Sequence, residues 1–253
     1  LGFPVILKPV RGGGGKGTFV VWDKEEVRKL FQEAVRIAKA TTESPEVYVE
    51  KFLENVRHEE VQFISDNYRN VVCLGGRSCS LQRRKQKIIE ETQSEEMGKI
   101  LEPVKSKCVE AIKTADCNSS ITFEFLVDDN SKVHFLEANK RLQVEHRPTE
   151  MASRVKGRKI DLVEERLKIA EGERLGYDQS DVSSEGCAIN VRLYSEDPWS
   201  DFRGCAGTIS EYEEPRTENV IIDSCLYAGY VIPSEYDSLI ATVTSFGSDR
   251  NES

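Results

Sequence analysis

Long apolar runs are missing from this sequence of 253 residues, and none approaches the length needed to span a bilayer. Nothing at its start has the pattern of a signal peptide. A basic excess is missing too. The 35 Lys and Arg stand against 44 Asp and Glu, a formal net charge of −9, which disfavours a general binder of nucleic acid or anionic membrane. The seven cysteines (Cys73, Cys79, Cys108, Cys117, Cys187, Cys205, Cys225) are odd in number and include no Cys-x-x-Cys pair. In a chain this long they argue against a disulfide framework or a zinc site and fit a reducing, cytosolic compartment. His58 and His146 have no metal-ligand spacing to each other, so neither reads as a metal ligand. The first residue is not Met. Leu1-Gly2-Phe3-Pro4-Val5-Ile6-Leu7-Lys8 begins inside an apolar strand, and the sequence reads as a fragment.

What is present can bury a core, as one large domain or as a small and a large one. Val5 to Pro9 reads as a strand, followed by Arg11-Gly12-Gly13-Gly14-Gly15-Lys16-Gly17 and a second strand through Val21. A helix is expected from Asp23, its cap, to Ala40, with Val27, Leu30, Phe31, Ala34, Ile37 and Ala38 on one stripe. With a strand over 46–52 this makes a β-rich unit of residues 1–53. Beyond it, 59–65 and 70–75 pair as strands, and the basic run Gln82 to Lys87 follows. A helix over 95–115 carries Pro103, which should break or kink it. Residues 121–127 and 133–139 form a hairpin, and a helix covers 161–171. These elements make a core of residues 54–175. From Gly186 the pattern is short strands and turns, a third part covering 176–253. Alternation of Ile189, Val191 and Leu193 with Asn190, Arg192 and Tyr194 turns Arg192 to the polar face.

The densest chemistry lies in Phe135-Leu136-Glu137-Ala138-Asn139-Lys140-Arg141-Leu142-Gln143-Val144-Glu145-His146. On a strand, Glu137 and Asn139 share a face and offer oxygens to a hard cation such as Mg²⁺. Arg141, Gln143 and Glu145 follow at the same period and would project together beyond the metal, enough to hold a small anion beside a base. Glu124 sits among apolar residues and needs a cation or strong donors. Pairing Asp128 with Val133 across a four-residue loop would set Glu124 opposite Glu137, whereas a loop of odd length would put them on opposite faces. The glycine run fails GxxxxGK[ST] because Gly17 follows Lys16, and a strand follows it, so no helix N-terminus is aimed at phosphates. A glycine hairpin can still lay N–H groups over a triphosphate, with Lys8 beneath it. A flexible turn and a solvated lysine are the bland alternatives. The pattern reads as a phosphoryl-transfer site.

Taken in order, GFPVILKP with GGGGKG, VEKFLENVRHEEVQ, CSLQRRKQKIIEE, ITFEFL, FLEANKRLQVEH with PTEM, and YAGYVIPSEYDSLI resemble the ATP-grasp fold, and more closely the biotin carboxylase component of biotin-dependent carboxylases. The resemblance covers nearly the whole chain. It implies an α+β architecture: a small β-rich lid with a helix, an antiparallel-sheet catalytic core, and a β-rich C-terminal part. It implies a ligase that uses ATP to carboxylate carrier-bound biotin with bicarbonate through carboxyphosphate. Lys8 and Gly12, Gly13, Gly14 and Gly15 would contact ATP phosphates, and Glu50, Lys51, Phe52 and Leu53 would receive adenine. His58, Gln82 and Lys85 would lie near the ribose, Lys85 standing where the family usually has histidine. Lys87 would bind phosphate or bicarbonate. Glu124, Glu137 and Asn139 would hold Mg²⁺ or Mn²⁺, the two carboxylates also serving the ATP site.

Arg141, Gln143 and Val144 would cradle bicarbonate, with Glu145 the base and Arg192 stabilising the biotin enolate. Arg11 replaces a usual glycine, Gly204-Cys205-Ala206-Gly207 a Pro-Ser-Pro-Gly turn, and Cys187 a histidine. No Met-Lys-Met attachment site is present, so biotin would come from a carrier protein or from a region outside this sequence. A carboxyltransferase would be the further partner. A homodimer, and a cytosolic or mitochondrial-matrix location, complete the expectation. The rival readings are another ATP-grasp ligase of carbamoyl-phosphate-synthetase or carboxylate–amine type, and a non-catalytic nucleotide-binding descendant.

Overall fold

The computed structural model describes residues 1–11, 17–42, 44–215 and 217–253, which form two compact units. Leu1–Val56 with Gln82–Gln86 make the first, and Arg57–Leu81 with Lys87–Ser253 the second.

In the first unit β1 (Val5–Pro9) is the middle strand of an antiparallel sheet between β2 (Phe19–Val21) and β3 (Val47–Lys51). Helix α1 (Val27–Thr42) closes one face by packing Ala34 against Val5, Leu7 and Val21. The helix starts later than its cap-like Asp23 suggests. That carboxylate accepts the Glu25 and Glu26 N–H groups at 2.8 and 3.2 Å, and so caps a turn that precedes the helix. The glycine run Gly12 to Gly15, with Lys16, lies outside the described residues.

The second unit begins with β4 (Arg57–Ser65), β5 (Val71–Arg83), β6 (Gln86–Thr92), α2 (Glu95–Thr114), β7 (Ser119–Val127) and β8 (Val133–Asn139). A short helix α3 (Arg147–Ala152) leads into β9 (Ser153–Val155) and β10 (Arg158–Lys159), then α4 (Leu162–Ala170), β11 (Val182–Ser184) and β12 (Cys187–Tyr194). The chain closes with β13 (Glu196–Asp197), β14 (Arg203–Gly204), β15 (Gly207–Thr208), β16 (Val220–Ser224), β17 (Val231–Ile232) and β18 (Leu239–Gly247). Eight strands form one sheet in the order β16-β18-β12-β6-β5-β4-β7-β8. One face is covered by α2, whose Met97, Leu101, Cys108 and Ile112 meet Val61, Phe63, Ile121, Phe123 and Phe125. Leu162 and Ile169 of α4 join Ile64, Val72 and Leu74 in a separate cluster. Helix α2 runs unbroken through Pro103. All seven cysteines are free.

Two bulges decide which residues share the other face. Strand β5 does not stop at its glycines. Gly75 takes a φ of +101° and lets the strand bulge, so that Phe63 pairs with Cys73 while Val61 pairs with Gly76. A Cβ on Gly76 would lie 2.7 Å from the Glu60 carbonyl oxygen, so β4 passes too close for any side chain there. Beyond the bulge Arg77 stands opposite Glu60.

The β7–β8 turn departs from the four-residue loop expected. Val127, not Asp128, pairs with Val133, leaving an odd loop of five residues that alone would separate Glu124 from Glu137. A register shift between Glu124 and Phe125 restores them to opposite positions. The sheet reaches the expected pairing by a different route. Replacing the fully buried Leu101 with Ala should cost about 2–5 kcal/mol, through lost transfer energy and the cavity left under the sheet. Urea unfolding would measure it, and a change below about 1 kcal/mol would mean that α2 does not carry this core.

Candidate active site

The register builds a row across the sheet: Arg77 on β5 opposite Glu60 on β4, Glu60 opposite Glu124 on β7, and Glu124 opposite Glu137 on β8. Carboxylates directly opposite each other destabilise a sheet unless cations intervene. Fully buried Arg77 donates to Glu60 Oε2 through Nε at 3.1 Å and Nη2 at 2.8 Å. The Lys87 ammonium, on β6, donates to the other Glu60 oxygen, to Glu145 Oε1 at 2.6 Å, and more distantly to Glu124 Oε1 at 3.5 Å. Arg192, on β12, donates to Glu145 Oε2 at 2.9 Å and to Glu90 Oε1 at 2.6 Å, while Asn190 donates to Glu90 Oε2 at 2.7 Å.

Glu124 is held by His58 Nε2 at 2.7 Å on one oxygen, and on the other by Gln143 Nε2 at 2.7 Å and Asn139 Nδ2 at 2.9 Å. Asn139 Nδ2 also stands 2.9 Å from Glu137 Oε1.

These contacts set the charge states. Burial alone would raise the Glu145 carboxyl, but the charges of Lys87, Arg77 and Arg192 pull it down to about 2. Burial likewise works against ionising Glu124, and His58 and Lys87 outweigh it, so this carboxyl is held below its ordinary value. Burial opposes the Lys87 charge, and the carboxylates of Glu60 and Glu145 more than offset it, so its pKa is raised. Burial wins at Glu90, whose carboxyl sits above its ordinary value despite Arg192 and Asn190.

Four buried carboxylates (Glu60, Glu90, Glu124, Glu145) thus face the three permanent cations Arg77, Lys87 and Arg192. The His58 ring adds a further contact at Glu124, and exposed Glu137 adds a further carboxylate at the edge of the cluster. Asn139 Nδ2 reaches both Glu124 and Glu137 where a hard cation would, and turning the amide over offers its oxygen instead. This oxygen donor set suits Mg²⁺ or Mn²⁺. His58, Glu60 and Glu124 also bring ligand atoms within 4.8 Å of one another, but Glu60 is already committed to Arg77 and Lys87.

The strand period does not continue past Asn139 as expected. The chain turns through Lys140–Gln143 into a 3₁₀ turn over Val144–His146 and then α3. The His146 ring, 3.0 Å from the Gln143 carbonyl oxygen, ties that turn. Gln143 and Glu145 therefore enter the buried network from a turn, and Arg141 does not join them. It is exposed, its guanidinium donating to the Leu142 carbonyl oxygen at 3.3 Å. Val144 is exposed as well.

In the first unit, Lys8 pairs with Glu50 at 2.5 Å, and exposed Lys51 donates to the Phe3 carbonyl oxygen at 2.9 Å. The Phe52 ring meets Trp22 edge-on, and its N–H donates to the Pro4 carbonyl oxygen. Leu53 and Gln82 are half-buried. Lys85 sits at positive φ in the β5–β6 turn, and partial burial with the nearby Lys8 charge lowers its pKa. Glu60, Arg77 and Glu90 complete the network without having stood out in the sequence. The available signal was a Glu-Glu-x-Gln run and a lone arginine inside strands otherwise apolar enough to be buried.

A buried ion network on an antiparallel sheet has relatives among known proteins. Residues 1–177 match the family model for the carbamoyl-phosphate synthase L chain, ATP binding domain, which places the chain in that class of ATP-binding proteins. Residues 190–253 match the biotin carboxylase C-terminal domain. The chain belongs to the biotin carboxylase family. It is 42% identical over 253 residues to the biotin carboxylase of Pseudomonas aeruginosa, covering 100% of this chain and 55% of that one. It superposes on the biotin carboxylase of Campylobacter jejuni with a TM-score of 0.90 at 38% identity, covering 99% of this chain and 55% of that one. The biotin carboxylase domain dimer of Hydrogenobacter thermophilus 2-oxoglutarate carboxylase, in complex with MgADP, ADP and bicarbonate, gives a TM-score of 0.91 at 35% identity. That match covers 98% of this chain and 54% of the other. The chain thus spans about half the length of the relatives it matches.

The lowered Glu145 pKa carries a stability signature. A folded-state pKa of about 2 against an ordinary 4.5 is worth about 3 kcal/mol at neutral pH, present above the unfolded-state value and lost as pH falls from about 5 towards 2. Urea midpoints across that range should fall less steeply for Glu145→Gln than for the wild type. Equal slopes would contradict the ion-pair account.

Proposed function

We propose that this chain supplies the site at which a biotin carboxylase uses ATP to activate bicarbonate and carboxylates carrier-bound biotin. The observation that carries the reading is Glu145, a buried carboxylate kept ionised between Lys87 and Arg192 beside the Glu124–Asn139–Glu137 oxygen cluster. Residues 1–53 would serve as the lid, 54–175 as the catalytic core and 176–253 as the C-terminal part.

Lys8, Gly12 to Gly15, Glu50, Lys51, Phe52, Leu53, His58, Gln82, Lys85 and Lys87 are assigned to ATP. Glu124, Glu137 and Asn139 would hold Mg²⁺ or Mn²⁺, which when bound offsets charge on the phosphate oxygens. Lys87, Arg141, Gln143 and Val144 are assigned to bicarbonate. Bicarbonate is a poor electrophile, so its conversion to carboxyphosphate must precede carbon transfer. Glu145 takes the bicarbonate proton while the bicarbonate oxygen attacks the terminal phosphorus and ADP leaves.

A carboxylate with a pKa near 2 is a weak base. A bicarbonate anion that draws Lys87 and Arg192 toward itself removes the charges that depress Glu145, so the base strengthens as substrate enters. Carboxyphosphate then breaks to CO₂ and phosphate, the phosphate takes the N1 proton of biotin, and N1 attacks CO₂. Arg192, always charged, stabilises the enolate oxygen formed in that step. A biotin carrier protein and a carboxyltransferase are the partners this chemistry requires. A homodimer is proposed by likeness to the dimeric Hydrogenobacter domain.

The test places these residues in the Pseudomonas aeruginosa enzyme in place of the segment they match, and follows ADP release. Release that needs both bicarbonate and free biotin, falling about 10²–10⁴-fold in Glu145→Gln, is the expected result. Release that depends on bicarbonate but ignores biotin would point to carbamoyl-phosphate chemistry. Undiminished release in Glu145→Gln would remove the assigned base.

A further inference from the structure

Arg77 is the most deeply buried cation of the network, and no proposed chemical step uses it. Its guanidinium meets five different side chains. Besides Glu60, Nη1 donates to Gln62 Oε1 at 3.0 Å and Thr149 Oγ1 at 2.8 Å, and Nη2 to Gln143 Oε1 at 2.8 Å and, weakly, Thr122 Oγ1 at 3.4 Å. It therefore ties β4, β7, the turn after β8 and α3 to one planar group.

Arginine has donors and no acceptor, so the atom of Gln143 that faces it must be the amide oxygen. The NH₂ group then has one direction left, toward Glu124 Oε1, where it sits 2.7 Å away. With the amide reversed, the oxygen would oppose the Glu124 carboxylate and the NH₂ would oppose the guanidinium. Both faces would be repulsive. We propose that Arg77 is a positioning residue: by taking Gln143 Oε1 it locks the Gln143 amide with its NH₂ toward Glu124, so Gln143 turns N–H groups and not its oxygen toward an incoming anion.

That anion's identity as bicarbonate rests on the function proposed above, but the lock itself does not. Lysine at position 77 would keep the charge and could satisfy Glu60, yet a single ammonium lacks the fork that reaches Glu60, Gln62 and Gln143 together.

The test is NMR of the side-chain amides of this chain, which needs no turnover, so failure of the lock and failure of the proposed reaction are separable. The Gln143 NH₂ signals are assigned by their loss in Gln143→Glu. Their hydrogen exchange should be slow relative to exposed Gln32, and should speed up about tenfold or more in folded Arg77→Lys as one charged hydrogen bond is lost. Gln143 exchange as fast as that of Gln32, or unchanged in folded Arg77→Lys, overturns the proposal.

Should Arg77→Lys not fold, the wild-type chain decides through ¹⁵N relaxation of the Gln143 NH₂ group. A locked amide should be as rigid as the backbone of its turn, and an amide as mobile as that of exposed Gln32 overturns the proposal.

Discussion

The arrangement depends on Lys87. A sheet register that sets Glu60 opposite Glu124, with Glu145 arriving from a neighbouring turn, concentrates like charge in a buried space. Such a cluster is stable only if a cation reaches several of its members, and the Lys87 ammonium reaches all three. Arg77 closes the network from below and Arg192 from the β12 side. The three cations act on different carboxylates and share Glu60 and Glu145, so the cluster behaves as one unit and its parts cannot be apportioned separately.

The fold spends its irregularities on keeping this row aligned. Gly75 at positive φ lets β5 bulge, and Gly76 passes the Glu60 carbonyl with no room for a Cβ. The shift between Glu124 and Phe125 compensates a loop of odd length. Each is a local departure from regular pairing, and together they put Arg77, Glu60, Glu124 and Glu137 on one line. The same arrangement sets Asn139 between Glu124 and exposed Glu137, a set of oxygen donors that suits a hard divalent cation.

Much of this was legible in the sequence. The hairpin carrying Glu124 and Glu137, the pairing of the two acids, and the polar orientation of Arg192 followed from alternation and from the cost of an unpaired buried charge. The α+β architecture followed from motif order. The part that was not legible depends on tertiary detail. Bulges leave no periodic trace, so the Asp128–Val133 pairing was expected where Val127–Val133 occurs. The strand period was carried past Asn139 because nothing local marks the 3₁₀ turn at Val144, and this placed Arg141 with Gln143 and Glu145 when it faces solvent. Pro103 suggested a break, yet α2 runs through it because its apolar stripe is anchored on both sides of the proline, at Met97 and Leu101 and again at Cys108 and Ile112. Arg77 did not stand out, since sequence alone does not show that its neighbours leave it no solvent.

Glu145 is held ionised by the cations around it. The most direct measurement is the ¹³C carboxyl shift of Glu145 in the wild-type chain, followed as the pH is lowered to about 3, where an ordinary glutamate would be mostly protonated. A Glu145 carboxyl still ionised at that pH, and protonated there once Lys87 is changed to Met, is the predicted result. A Glu145 that titrates near the ordinary glutamate value in the wild-type chain would contradict the account.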